Sequence, residues 1–543
     1  MGAWLRAIWV TTTVGSLVVA GCSAGGDDAD GSGTGPEGVE PAAAIAELRP
    51  LSVAREGRPR IVDDAGRELL LRGANFNALG DYYQDDPELS PTRPPTADDW
   101  DEMAANGFSV VRLVVSWSAL EPERGELDQG YVAEIRAAVD DAAARGIYTV
   151  IDFHQDAYGK YVATPAGTAC PAGTEAAIGW DGAPEWATIT NGASTCRPEG
   201  YREGAPAVHA AFRNFYDNTD GIRDAFVATV GRVAGEFAAD PAVAAYDLLN
   251  EPNLVLPADE STARYTELVS DLVTAIRAAE TEAGAASESD SGAASESEAG
   301  AASESESESG PGGFAHLIFL EPLVLFPLPG TMPSPGFTDV RDIVFAPHNY
   351  AESIGPRILT VEQTADIDAA TAVDRGWPLW IGEYGVFDTS EEKLDVLRRF
   401  AAAQDGNFSG SAVWQWRQHC GEPHTVGTPG NVAQGRVVQL NLVDCPGDRD
   451  GGPNEDALRV VGRAYPRAAP GELSELRSDP GTGELVVAGA VAGAHRDAEL
   501  VVWVPGTVPP EVDVEGLSEP ATTEVDGGFY LTATPTAGTY RLA

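Results

Sequence analysis

Basic residues are scarce in this chain: 35 Lys and Arg stand against 84 Asp and Glu in 543 residues, a formal charge of 35 − 84 = −49. A field of that sign repels phosphate, so nucleic acid is excluded as a partner, and charge alone would not draw the chain to an anionic lipid surface. Cysteine is scarce too, five in all, and no pair has the close C-x-x-C spacing that structural zinc favours, so a zinc site is set aside. Long apolar runs are also missing. The stretch Ala7–Ala20 is too short to span a bilayer, and nothing later is long and apolar enough.

What that stretch does fit is an export signal, with Arg6 as a short basic n-region and Ala7–Ala20 as the apolar h-region. The following Val19-Ala20-Gly21-Cys22 resembles a bacterial lipobox, which implies a signal over 1–21 and lipidation of Cys22; an ordinary cleaved signal with an incidental cysteine is the alternative. Residues 22–45, rich in Gly, Asp, Ser and Pro, bury too little to fold and are expected to form a disordered tether. The expected location is outside the cell, anchored by lipid to the outer membrane face or released. The other cysteines form two separated pairs, so Cys170–Cys196 and Cys420–Cys445 disulfides are expected in an oxidising compartment.

Between about Ile61 and Arg467, eight apolar runs alternate with amphipathic stretches. The runs are Leu69–Leu71, Val110–Val115, Tyr148–Phe153, Ala244–Leu249, Leu317–Leu320, Ile343–Ala346, Leu379–Ile381 and Ala412–Trp416; Tyr131–Arg145, Ile222–Ala238, Thr262–Ala278 and Lys393–Ala403 carry helical spacing. Eight such alternations predict an α/β fold, a (β/α)₈ TIM barrel over 46–467, with an open doubly wound sheet as the alternative. One segment breaks the rhythm. Gly284-Ala-Ala-Ser-Glu-Ser recurs at Gly292 and Gly300 and runs into alternating Ser and Glu, so a disordered insertion over about 280–312 is expected in a surface loop. Beyond 467, short alternating runs separated by turn residues predict a C-terminal antiparallel β-sandwich over 468–543.

In such a barrel the reactive side chains emerge at the carboxyl ends of strands. Reading there gives Asn75, Arg112, His154 with Asp156, Asn250 with Glu251, His348 with Tyr350, Glu383, and Trp414 with Trp416. Any one of these is more often a satisfied core group than a functional one; the whole series defines a cleft. Two carboxylates on separate strands suit glycoside hydrolysis, one protonating the leaving oxygen while the other attacks the anomeric carbon.

Leu248-Leu249-Asn250-Glu251-Pro252 resembles the strand-four acid/base motif of glycoside hydrolase family 5, and Trp380-Ile381-Gly382-Glu383-Tyr384-Gly385 its strand-seven nucleophile motif. The resemblance implies Glu251 as acid/base and Glu383 as nucleophile, with Arg112 and Tyr350 orienting Glu383 and keeping it ionised. Asn75, His154, Asp156, Asn250 and His348 would bind substrate, Asn250 through the sugar 2-hydroxyl, and Trp414 would lie under the ring; for Trp416, core packing and contact stand equal. The reaction needs only two carboxyl groups and water, so no cofactor or metal is implied. Within that family, Asp152-Phe153-His154-Gln155-Asp156-Ala157-Tyr158-Gly159 resembles the strand-three signature of endoglycoceramidases, which implies a glycosphingolipid substrate cleaved between glycan and ceramide; separately, the chain is expected to be a monomer.

A lipid aglycone has separate support. Leu254 and Leu256 follow the Asn-Glu-Pro, and Leu323, Leu325 and Phe326 follow strand five, where loops are normally polar; exposed, they would line a groove for alkyl chains, and buried, they would be ordinary packing. A lipidated Cys22 would also hold the protein at a membrane surface. The alternatives are a family 5 endo-β-glucanase or mannanase acting on polysaccharide, and a non-catalytic glycan-binding lipoprotein.

Overall fold

The computed structural model describes residues 47–255, 257–291, 314–324, 326–328, 331–334, 336–353, 358–386, 390–417, 419–426, 440–442 and 452–543. The export signal, Cys22, the tether, Leu256, Leu325, Cys445 and residues 292–313 of the acidic insertion lie outside the described residues.

Nine parallel strand segments form one sheet in the spatial order Ile343–Phe345, Leu317–Leu320, Val243–Asp247, Tyr148–His154, Val110–Ser116, Arg72–Phe76, Gly410–Val413, Trp380–Tyr384, His348–Asn349. The two outermost segments are consecutive in the chain, separated only by Ala346 and Pro347, and Phe345 also bridges Leu379. The sheet therefore curls back on itself and fits a (β/α)₈ barrel. Its central strands are buried at every position, as in Val110–Ser116 and Tyr148–His154, which is why they read as unbroken apolar runs. Helices cover the outside with one apolar stripe each: in Gln129–Ala143 the buried positions are Val132, Ile135, Ala138, Val139 and Ala142, and Asp128 caps the first turn by accepting from the Gly130 and Tyr131 N–H groups.

Three expectations change. The run Leu69–Leu71 is not one strand: Arg67–Leu69 ends an antiparallel strand and the first barrel strand is Arg72–Phe76. The helix expected over Thr262–Ala278 spans Ala258–Ser291, so the start of the acidic insertion is helical. Its core stripe of Tyr265, Leu268, Val269, Leu272 and Ile276 anchors the helix, and Ala and Glu are good enough formers to propagate an established helix. The third change concerns the boundary at 467. Strands Leu51–Ala54, Arg60–Asp63 and Arg67–Leu69, assigned to the barrel, instead join Tyr465–Pro470, Leu500–Pro505, Gly528–Ala533 and Ala521–Val525 in one antiparallel sheet. A second antiparallel sheet comprises Glu472–Ser478, Leu485–Ala490, Thr539–Leu542 and Val514–Glu515.

One apolar cluster joins Leu51, Leu473, Val487, Trp503 and Tyr530 of these sheets to Val110, Tyr148, Leu317, Ala244 and Trp380 at the amino ends of barrel strands. That end of the barrel is closed by packing. Function is left to the other end.

Candidate active site

Arg112 organises the open end. It projects inward from the second barrel strand, wholly buried, and its Nη1 donates to Asn75 Oδ1 and Glu383 Oε1, both at 2.9 Å. Its Nη2 donates to Asn250 Oδ1 at 3.0 Å and Glu321 Oε1 at 2.8 Å, and its Nε to Asp247 Oδ2 at 2.9 Å. Asp152 Oδ1 lies 2.9 Å from Nη2. The carboxylate oxygens of Asp152, Asp247 and Glu321 fall within 4.8 Å of one another, a spacing that could suit a metal, but the guanidinium already bridges all three. Burial pushes the Asp247 carboxyl well above its ordinary value, with the charges of Glu321 and Asp152 adding to the rise and Arg112 opposing it.

Glu383, at the end of strand seven, receives Arg112 on Oε1 and the Tyr350 hydroxyl on Oε2, each at 2.9 Å. Glu251 follows strand four with φ +41°. Its N–H donates to Glu321 Oε2 at 2.8 Å, and the carbonyls of Asn250 and Glu251 accept from Gln155 Nε2 at 2.7 and 3.0 Å, which pins the turn. His348 Nδ1 stands between the two glutamates, 3.0 Å from Glu251 Oε1 and 3.5 Å from Glu383 Oε2. One carboxylate oxygen of Glu251, one of Glu383 and a ring nitrogen of His348 all lie within 4.8 Å of one another. The Glu251 side chain is 26% exposed and that of Glu383 6%, so Glu251 is the carboxylate open to the mouth.

The electrostatics differ from the expectation. Burial pushes Glu251 up, but His348 and Arg202 outweigh it and hold the carboxyl below its ordinary value. Burial raises Glu383, helped by the charge of Glu251 and opposed by His348 and Arg112. Glu383, expected to be kept ionised by Arg112 and Tyr350, is thus the one of the pair that burial pushes above its ordinary value.

The remaining predicted residues divide. His154 Nδ1 lies 2.6 Å from Asp152 Oδ2, and its ring stacks on Trp414 at 5.4 Å and 15°. Burial disfavours its cation, yet Asp152, Asp181 and Asp156 push it up to about 10. Asp156 pairs with Arg202 at 2.6 Å and faces His424 at 3.3 Å. Asn250 turns its amide oxygen to Arg112 and its nitrogen to the Gln155 carbonyl at 3.0 Å. Asn75 does not reach the cleft: it is fully buried, its amide nitrogen donating to the Gly382 and Ala412 carbonyls, each at 3.0 Å, and its oxygen held by Arg112, so it supports that arginine instead of a substrate. Trp416 is core, donating to Asp99 Oδ1 at 3.0 Å. Leu323 is also core, fully buried, and leaves the expected groove, whereas Leu254 and Phe326 are half-buried against the same core.

Sequence reading missed Arg202, Asp181 and His424, which come from a loop and from single helical turns too short to show a period. It also missed Glu321, although this residue follows strand five directly and the strand-end rule would have found it. Asp181 and Arg202 belong to the long excursion after strand three, tied by the Cys170–Cys196 disulfide, with Cα atoms 5.6 Å apart. Burial, with the charge of Asp156, raises Asp181 to about 7 despite His154.

The family profile described as Cellulase (glycosyl hydrolase family 5) matches residues 62–419. The chain belongs to glycosyl hydrolase family 5. Among characterised members, Endoglycoceramidase I of Rhodococcus hoagii is 28% identical over 211 residues, 37% of this chain and 37% of that protein. An Endoglycoceramidase of Hydra vulgaris is 27% identical over 218 residues, 35% of this chain and 39% of that protein. These alignments thus span well under two thirds of the relatives' lengths. A crystal structure of endogalactoceramidase is similar at 39% identity with a TM-score of 0.79, covering 91% of this chain and all of that one (100%). The fold is also shared with endo-glycoceramidase II from Rhodococcus sp., TM-score 0.66 at 23% identity, covering 89% of this chain and 99% of that one. In this family 5 chain both glutamates fall inside the matched segment.

Proposed function

We propose that the protein is a retaining endo-β-glycosidase that cleaves glycosphingolipids between glycan and ceramide, and that the sugar it cuts after is galactose. The observation that carries the mechanism is the closeness of the two glutamates, one carboxylate oxygen of Glu251 lying within 4.8 Å of one of Glu383, which suits retention, where the carboxyl groups lie about 5–5.5 Å apart, better than inversion, where they stand about 6.5–9.5 Å apart. Glu251 gives its proton to the ceramide oxygen as the glycosidic bond breaks, and Glu383, held by Arg112 and Tyr350, forms the bond to the anomeric carbon. Water then displaces Glu383, its proton returning to Glu251. No cofactor enters this scheme.

The galactosyl preference rests on the likeness to endogalactoceramidase. The lipid aglycone is supported by where apolar surface falls: of the six exposed large hydrophobics among the described residues, Tyr161, Tyr201, Leu328 and Ile358 lie in loops that follow barrel strands. The two antiparallel sheets are read as a β-sandwich closing the barrel floor. We place the enzyme outside the cell as a monomer, lipid-anchored through Cys22 and so near membranes.

The test is to trap the intermediate. A 2-deoxy-2-fluoro-galactosyl fluoride should label Glu383, seen in the peptide mass, and Glu251→Ala with azide should yield a β-galactosyl azide. A label elsewhere, or an α-azide, would refute the assignment.

A further inference from the structure

Glu251 is gripped by a cation that no strand motif supplies. Arg202, in the short turn Arg202–Gly204 between Cys196 and helix Pro206–Tyr216, reaches into the mouth and places Nη2 3.1 Å from Glu251 Oε2. The same nitrogen lies 2.6 Å from Asp156 Oδ1, Nε pairs with Glu203, and the guanidinium lies over the Trp180 ring at 4.7 Å. Arg202 can therefore release the longer contact and stay anchored by Asp156 and Trp180. The other charged or titratable groups facing Glu251 are His348 from strand six, Glu383 from strand seven, Glu321 after strand five and Asp156 after strand three. His348 is fixed on its strand. Arg202 is loop-borne, and both its side chain and that of Glu251 are partly open to solvent.

We propose that Arg202 is a positioning residue that locks Glu251 as a carboxylate in the free enzyme, and that the aglycone, on entering, displaces it so that Glu251 takes up a proton from solvent only with substrate in place. This rests on Glu251 being the acid/base. It makes bond cleavage conditional on an occupied aglycone site. The cation's loss should raise the affinity of Glu251 for its proton, since a neighbouring opposite charge stabilises the ionised form.

The experiment is the pH dependence of glycosphingolipid hydrolysis by the full chain, wild type against Arg202→Gln, Arg202→Met and Arg202→Lys, with folding checked by circular dichroism. The alkaline limb of kcat/KM reports the free enzyme and that of kcat the bound one. In the wild type the kcat limb should lie above the kcat/KM limb; in either neutral variant the kcat/KM limb should rise by about one pH unit toward it, and Arg202→Lys should stay near wild type. A loss of loop packing alone would lower rates without drawing the two limbs together. A kcat/KM limb unmoved in the folded neutral variants overturns the proposal. Failure of the acid/base reading shows separately: Glu251→Ala would then lose no more activity on glycosphingolipid than on a dinitrophenyl galactoside.

Discussion

Arg112 holds together a carboxylate cluster that could not otherwise be buried. Removing one partner of a buried ionic network strands the rest, so Arg112→Met should cost about 3–5 kcal/mol, read as a fall in denaturation midpoint, along with activity. Arg112→Lys should rescue little, because an ammonium cannot make the planar contacts to Asn75, Asn250, Asp247, Glu321 and Glu383 at once. A variant as stable as wild type would deny the arginine this role. His154 offers a second test. Its folded pKa of about 10 exceeds the ordinary 6.5, so its ion pair stabilises the fold fully below about pH 6.5 and loses that contribution as pH rises through about 10. Ring NMR should show an imidazolium at neutral pH, and Asp152→Asn should move the midpoint down; a neutral ring at pH 7 would contradict this.

The loop after strand three works as an element. The disulfide closes a segment with a sequence separation of 26, which by unfolded-state entropy contributes roughly 3 kcal/mol. Within it, the Asp181 carbonyl accepts from Asp156 N–H at 3.1 Å and the Gly182 carbonyl from Ser118 N–H at 2.7 Å, so the loop is docked against the mouth. Replacing Cys170 and Cys196 together by Ser should lower stability by about that amount in denaturant melts and impair activity by loosening Arg202 and Asp181; unchanged stability would show that docking alone holds the loop. Legibility divides along the same line. Barrel strands were readable because burial on both faces makes them continuously apolar, and both glutamates because they stand where such runs end. Arg202 and Asp181 were not, since an irregular loop carries no period and their role comes from contacts across long sequence separations.

The barrel is asymmetric, one end packed closed and the other carrying the paired glutamates. The seal is built from both chain ends: Arg67–Leu69 pairs with Tyr465–Pro470, a non-local contact that no local pattern announces, which is why residues 51–69 read as barrel. Trp503 donates to the Gly462 carbonyl at 2.9 Å and packs beneath the barrel strands. A chain ending at Arg467 should therefore expose the floor, at about 25 cal/mol per Å² of apolar surface, and accumulate as aggregate instead of as an active barrel, measured by size-exclusion chromatography; a soluble, active fragment would contradict this.

Acting together, the sealed floor, the paired glutamates and the exposed apolar side chains of the loops after the strands make one claim about the reaction, and the products decide it. Incubation with galactosyl- and glucosyl-linked oligosaccharylceramides, beside cellulose, mannan and xylan oligomers, should yield intact oligosaccharide and ceramide in equal amounts by mass, with the galactosyl-linked substrates turned over faster. Release of single hexoses with the lipid left glycosylated, or cleavage of the polysaccharides alone, would contradict the account.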